Sequence, residues 1–264
     1  MSYPSPLNPV VRALNPSVTT LSSPFKRSGL FHIGARSTVI SLRSGSVVVI
    51  APLPYGPDSE AVVAGRDVKF LIAPDIVHHL ALKSWKEAHP AAKIIGPAGL
   101  RQKKAADGVH VDHELTTAGQ VLTPSQAGIV DDDIEHELRF VYVAAHTNHE
   151  LVTFHLPTAT LVEADLLFNL PANEQYSNSA LSYKTGFSRL FNLLHPFGSW
   201  HARLAGASFS DKAAAATALT AIASLPFTTI VPCHGDVLVT PAADNDPAHA
   251  ARPAFEAVFA KYLK

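Results

Sequence analysis

Five residues of this chain combine a reactive side chain with a local setting that suits chemistry: His78, His79, His146, Asp165 and His234. Imidazole nitrogens and a carboxylate oxygen bind borderline divalent ions, zinc, iron or manganese, and an imidazole also serves as a base near neutral pH. Each residue follows an apolar run. Val68-Lys-Phe-Leu-Ile-Ala precedes the His78-His79 pair, and Val141-Tyr-Val-Ala-Ala precedes His146. Ala159-Thr-Leu-Val-Glu-Ala precedes Asp165, and Phe227-Thr-Thr-Ile-Val-Pro precedes Cys233-His234. Short β-branched and aromatic runs read as buried strands, and the residue at a strand's exit is carried to the sheet edge, where ligands collect in layered α/β proteins. One histidine in such a place is more often a hydrogen-bonded surface residue. Four repeats of the pattern make convergence on one cation the expectation.

The elements that must position these groups follow from the pattern around them. Residues 1–30 are rich in proline and serine with little periodicity, and they read as an extended arm. Two β-rich runs, 37–43 and 46–52, flank Ser44-Gly45 and predict a hairpin. The run from Val68 predicts a strand. Asp75 then predicts an N-cap for a helix whose first turn holds His78 and His79 and whose apolar face includes Leu82 and Trp85. A short strand over 93–96 and a helix start at Pro97 come next, and the acidic run Asp131-Asp132-Asp133 reads as a solvated turn. Pro157-Thr158 predicts a second hairpin joining 151–156 to 159–165. Residues 166–210 carry Phe168, Tyr176, Tyr183, Phe187, Phe191, Phe197 and Trp200, too apolar for a plain loop, and predict helices over the sheet end that wall a pocket. Ser210-Asp211 predicts a cap for a helix to Ala223, 227–232 a strand, and 255–263 a closing helix.

Composition narrows the function. With 264 residues, 47% hydrophobic, the chain supports a sizeable core, read as a single domain over 31–264 after the arm. Twenty-one basic residues against 22 acidic ones argue against a nucleic-acid partner. No apolar run approaches a membrane span, and the first residues lack a secretory pattern. A lone Cys233 excludes an internal disulfide, so a cytoplasmic, reducing setting is expected. Its small size beside His234 suits a buried packing role better than a nucleophile without a partner. Of the 14 histidines, His110 and His249 read as solvated loop residues.

From about Ser37 to Lys264 the chain resembles the metallo-β-lactamase fold superfamily. Ala145-His146-Thr147 resembles its Gly-His-Thr/Ser segment, and Leu161-Val-Glu-Ala-Asp165-Leu-Leu-Phe168 its Phe-x-Gly-Asp-x-Leu-Phe segment. Ile230-Val-Pro-Cys-His234-Gly235 resembles the late Pro-Gly-His-Gly segment. The resemblance implies an α/β fold, a four-layer αββα sandwich, with a metal at one sheet edge. It also exposes a departure. Against the signature His-x-His-x-Asp-His the chain offers Pro74-Asp75-Ile76-Val77-His78-His79, so Pro74 and Ile76 replace two ligands and His78 replaces the aspartate. The hairpin ends Ile50-Ala51-Pro52, where the superfamily commonly has an aspartate.

The surviving set, His78, His79, His146, Asp165 and His234, implies one divalent ion, with zinc favoured over iron or manganese. His146 and His234 would be neutral ligands and Asp165 an anionic one. His78 is either a ligand or the catalytic base, and an alternative has His79 binding while His78 packs against the sheet. His149 and Tyr183 are candidates for supporting the metal's ligands from behind or for substrate contact. Two functions follow: a metal-dependent hydrolase of a small ester, lactone or thioester-like substrate, or a degenerate relative whose metal site is structural or ligand-sensing. The expected partner is a small molecule, not nucleic acid or membrane, and a homo-oligomer is compatible with the sequence.

Overall fold

A computed structural model describes residues 3–184, 193–240 and 250–263. Phe187, Phe191, His249 and Lys264 lie outside the described residues. Two sheets stack face to face. The first has seven strands in the order β1 (Val10–Asn15), β2 (Val18–Ser23), β5 (Ala35–Ser41), β6 (Val47–Ile50), β7 (Val68–Ile72), β8 (Lys93–Pro97) and β9 (His113–Leu115). The second has six in the order β10 (Val121–Leu122), β11 (Leu138–Val143), β12 (Glu150–His155), β13 (Thr160–Glu163), β14 (Thr229–Pro232) and β15 (Leu238–Val239). A separate ribbon pairs β3 (Lys26–Arg27) with β4 (Phe31–His32).

Alternation along the strands builds four layers. Val48, Ile50, Phe70 and Ile72 of the first sheet meet Phe140, Tyr142, Val162 and Val231 of the second in one buried cluster. Their sequence neighbours Val47, Val49 and Leu71 face the other way, packing with Leu82 and Trp85 of α2 (Leu82–Ala88) and Leu100 of α3 (Leu100–Ala105). On the far side Val141, Val143, Leu161 and Ile230 pack with α7 (Lys212–Ala223) and α8 (Ala251–Phe259). Strands covered on both faces lose the apolar–polar alternation of a surface strand and read as continuous apolar runs. Burying one such side chain, Phe70, contributes about 1.5–3 kcal/mol.

Both expected hairpins form, with Gly45 at φ +91° in the first and a 3-10 turn at Leu156–Thr158 in the second. Asp211 caps α7 by accepting the backbone N–H of Ala213 and Ala214 at 2.9 and 3.0 Å. Three expectations change. The arm over 1–30 is instead largely sheet: β1 and β2 form a hairpin whose inner strand pairs residue for residue with β5. Its periodicity is hidden because Thr20, Ser22 and Ser23 are buried polar residues, with Ser22 hydrogen-bonded to Arg36 and Glu174. The helix expected after Asp75 starts only at Leu82, which leaves His78 and His79 in a loop. Asp131 to Asp133 begin a short helix, α4 (Asp132–Glu135), and both Asp131 and Asp133 pair with Lys69 at 3.0 and 2.6 Å.

Candidate metal centre

Strand directions decide which exits meet. β11, β12 and β13 run antiparallel in succession, and β13 is parallel to β14, so β11, β13 and β14 all end at the same edge. Their exits carry His146, Asp165 and His234. The loop after β7 is sewn to this edge by Ile76 N–H on the Asn148 carbonyl (3.0 Å) and Leu151 N–H on the Pro74 carbonyl (2.6 Å). His78 therefore arrives from the first sheet to face residues of the second.

His78, Asp165 and His234 converge, each offering one ligand atom within 4.8 Å of the others. His78 Nε2 lies 3.1 Å from His234 Nε2, which lies 3.2 Å from Asp165 Oδ1. Both rings are fixed from behind. His234 Nδ1 donates to the Gly34 carbonyl at 2.7 Å, and His78 Nδ1 donates to Asp75 Oδ2 at 2.8 Å. A carbonyl and a carboxylate only accept, so each Nδ1 carries a proton and each Nε2 turns toward the other ring. Two imidazole lone pairs at 3.1 Å repel unless a positive centre lies between them, either a proton or a metal ion. Asp165 Oδ1, buried and without a hydrogen bond, completes the set, while its Oδ2 accepts from Asn148 Nδ2 at 2.6 Å. Two imidazoles and one carboxylate, with outer partners orienting both rings, fit zinc or iron with coordination positions left open.

The electrostatics agree with that fit. Burial opposes charge on His78, yet Asp75 and Asp165 outweigh it and push its pKa up to about 9. Burial likewise raises Asp165, but His78 and His234 overcome it and hold the carboxyl well below the usual carboxylate range. The carboxylates thus favour a cation at this point, a proton or a metal ion.

Asp75 does more than orient one ring. Fully buried, it accepts the backbone N–H of Val77 (2.7 Å) and His78 (2.5 Å), which makes it the keystone of a turn rather than a helix cap. Two further buried carboxylates escaped the sequence reading. Glu150 accepts Ala164 N–H (2.5 Å) and Asp165 N–H (3.2 Å), and Glu163 accepts Leu166 N–H (2.9 Å) and Leu167 N–H (3.1 Å). Together they fold the chain around Asp165. Burial first, then neighbouring carboxylates, raises both well above the ordinary glutamate range. The signal was acidic residues inside apolar strand runs, which are buried only when partnered.

The remaining expected site residues lie elsewhere. His79 lies outside the convergent group; burial, then the charges of Lys104 and Lys103, lower its pKa to about 4. His146 sits at the same edge but outside the convergent group, its Nδ1 3.4 Å from Asn148 N and 3.8 Å from Glu150 Oε2, its ring edge-on to Phe209. His149 Nδ1 lies 3.2 Å from both the Tyr142 hydroxyl and the Ala98 carbonyl. Tyr183 donates to Asn173 Oδ1 at 2.5 Å. Cys233 is buried, and burial together with the surrounding carboxylates keeps its thiol protonated.

A narrow cleft of ≈30 Å³, partly open to solvent, is lined by His78, Asp165 and His234. Among the described residues its walls come from Tyr3, Phe25, Arg27 and Ile33, with Leu53 and Leu80, and none comes from 166–184 or 193–210, while Phe187 and Phe191 of the expected wall lie outside the described residues. Three residues of the stretch read as an arm, Tyr3, Phe25 and Arg27, thus line the cleft. Phe168 instead packs behind His234, ring centroids 5.4 Å apart. Gly235 lets the chain pass there: at φ +94°, a Cβ would sit 2.0 Å from the Asn169 carbonyl oxygen.

A two-sheet αββα sandwich with histidines and an aspartate at one edge defines a class of metal-site fold, and solved structures identify it. DIM-1 metallo-β-lactamase exposed to ceftazidime superposes with a TM-score of 0.59 at 10% identity, covering 96% of each chain. The metallo-β-lactamase from Hirschia baltica gives 0.58 at 9% identity, covering 96% of this chain and 97% of that one. FIM-1 from Pseudomonas aeruginosa in its mono-zinc form gives 0.57 at 10% identity, covering 97% of each. No family model and no curated protein matches the sequence. The chain has the metallo-β-lactamase fold.

Proposed function

We propose that this protein is a metal-dependent hydrolase of a small ester, lactone or thioester-like substrate, with one divalent ion, zinc in preference to iron or manganese, on His78, Asp165 and His234. One observation carries the reading: two imidazole Nε2 atoms and an orphaned carboxylate oxygen meet at the floor of a cleft, with both Nδ1 atoms tied down behind them. That FIM-1 is described in a mono-zinc form supports a single ion in this fold.

A divalent ion bound there supplies Lewis-acid activation of water and of the substrate carbonyl. The chain's own groups do the rest. Asp75 fixes the His78 tautomer, and Gly34 fixes that of His234. Asp165 adds the negative charge that offsets the cation, and Asn148 holds its second oxygen. The close approach of His78 to His234 favours His78 as a ligand over His78 as a base, since one Nε2 cannot do both. The apolar wall excludes water from the substrate.

Elemental analysis of protein purified without added metal, followed by a panel of activated esters, lactones and thioesters, tests the proposal. The expected result is close to one metal per chain and turnover that stops with a chelator and returns with zinc. Metal without turnover of any substrate would favour the structural or sensing alternative, which the missing ligands at Pro74 and Ile76 motivate. Turnover unaffected by metal removal would rule the mechanism out.

A further inference from the structure

The cleft over His78, Asp165 and His234 is too small for the substrate it would serve. Its ≈30 Å³ holds about two water molecules, whereas small-molecule pockets run to about 300–1,000 Å³. Tyr3 closes one side of it. The Tyr3 ring packs on Phe25, centroids 4.9 Å apart, and Phe25 in turn faces His234 at 6.4 Å with 26° between the ring planes. Burial raises the Tyr3 phenol well above its ordinary range, and the second cause is Cys233, the chain neighbour of His234. On its other side Tyr3 walls a second pocket of ≈120 Å³, together with Pro4, Pro24, Lys26 and Leu181. Tyr3 and Phe25 line both spaces and form the partition between them.

The two halves of the partition are held very differently. Phe25 is fixed, since its carbonyl accepts the Ile33 N–H at 3.2 Å and the Tyr176 hydroxyl at 3.0 Å. Tyr3 belongs to a segment with little to hold it. Pro4 and Pro6 have no N–H to give, and among the described residues 3–8 make one hydrogen bond, from Asn8 Nδ2 to the Asn178 carbonyl at 3.4 Å. Ser5, Pro6 and Asn8 are exposed, and regular pairing starts only at Val10 in β1. Pro6, Leu7 and Asn8 also line a gap of ≈430 Å³ against residues 54–59. A segment held by side-chain packing alone can lift without breaking a ladder. We propose that residues 3–8 are a strap that holds the site shut, with Tyr3 in the place of the substrate's apolar body. Substrate enters when the strap lifts and joins the cleft to the pocket beside it. The fraction of chains with the strap lifted then scales the apparent affinity. The turnover arm of the test rests on the hydrolase reading, whereas the strap itself rests on packing.

Tyr3→Ala is expected to lower KM for 4-nitrophenyl octanoate about 10-fold, with kcat changed less than about twofold. Tyr3→Phe, which keeps the ring, should match the parent. A chain lacking residues 2–8, which leaves β1 whole, should behave as Tyr3→Ala does, so a folding defect in one variant cannot mimic the result. The second readout needs no turnover. In the full chain treated with a chelator, diethyl pyrocarbonate labels accessible imidazoles, and peptide mass locates them. Labelling of His78 and His234, measured against the exposed His110, should run about 10-fold faster in Tyr3→Ala and unchanged in Tyr3→Phe. Equal losses of kcat in Tyr3→Ala and Tyr3→Phe would make the phenol part of the chemistry and overturn the strap. Tyr3→Ala with KM and labelling unchanged would overturn it as well. Faster labelling in Tyr3→Ala without turnover of any ester would sustain the strap while defeating the hydrolase reading.

Discussion

Asp75 and the Gly34 carbonyl determine what His78 and His234 can offer, because the proton on each Nδ1 frees the opposite nitrogen for the cleft. Removing such an outer partner typically weakens metal binding about 10–100-fold. Asp75→Asn is therefore expected to lower zinc affinity by that factor, read by competition with a chromogenic chelator. His234→Ala should abolish stoichiometric binding, whereas His79→Ala should leave it intact, since His79 lies outside the convergent group. Equal losses for His79→Ala and His234→Ala would mean that the ion sits elsewhere.

The element that closes the back of the site is α6 (Ser199–Ala207), attached through a buried histidine. His201 Nε2 accepts the Phe168 backbone N–H at 3.1 Å, its ring stacks with Phe168, and Phe168 in turn packs on His234. Burial lowers the His201 pKa to about 4 from the ordinary 6.5. Between those values the unfolded chain binds a proton that the folded chain refuses. Stability therefore falls as pH drops from about 6.5 to about 4 and is insensitive to this group above that window. The ceiling for one such group is ~3 kcal/mol. A melting-temperature series from pH 7.5 to 4.5 should be flatter for His201→Gln, whose side-chain carbonyl can still accept from Phe168. Parallel curves for the two proteins would remove His201 from the acid response. The ribbon carrying Arg27 belongs to the same scale: two short strands outside both main sheets place one cation over the cleft.

At the scale of the whole molecule the site is a joint between two sheets. His78 comes from the first, Asp165 and His234 from the second, and the Val48, Phe70, Phe140 and Val231 core holds them in register. An ion bound only by the folded joint stabilises the entire fold through mass action. Zinc at 100 times its dissociation constant adds about 2.7 kcal/mol. For a chain of this size that is about 5–10 °C in melting temperature. Calorimetry with and without chelator measures it, and His234→Ala should lose the shift. No helix among the described residues is long and apolar enough to cross a membrane.

The layered fold and the arrival of Asp165 and His234 at one sheet edge were legible from the sequence, because a strand buried on both faces writes a continuous apolar run and its exit residue marks an edge. What the sequence could not decide was direction. Whether His78 or His79 turned inward depended on Asp75 folding a turn instead of capping a helix, a choice fixed by hydrogen bonds across to residues about 70 positions away, at Asn148 and Leu151. His146 lay at the correct edge, yet its ring was taken by Phe209 and the Asn148 backbone. Tyr3, Phe25 and Arg27 were hidden because Tyr3 and Phe25 lie outside the strands and the strand carrying Arg27 is only two residues long, too short to show a period. Local patterns encode which residues reach an edge, but only packing between distant segments fixes where each side chain points once it arrives.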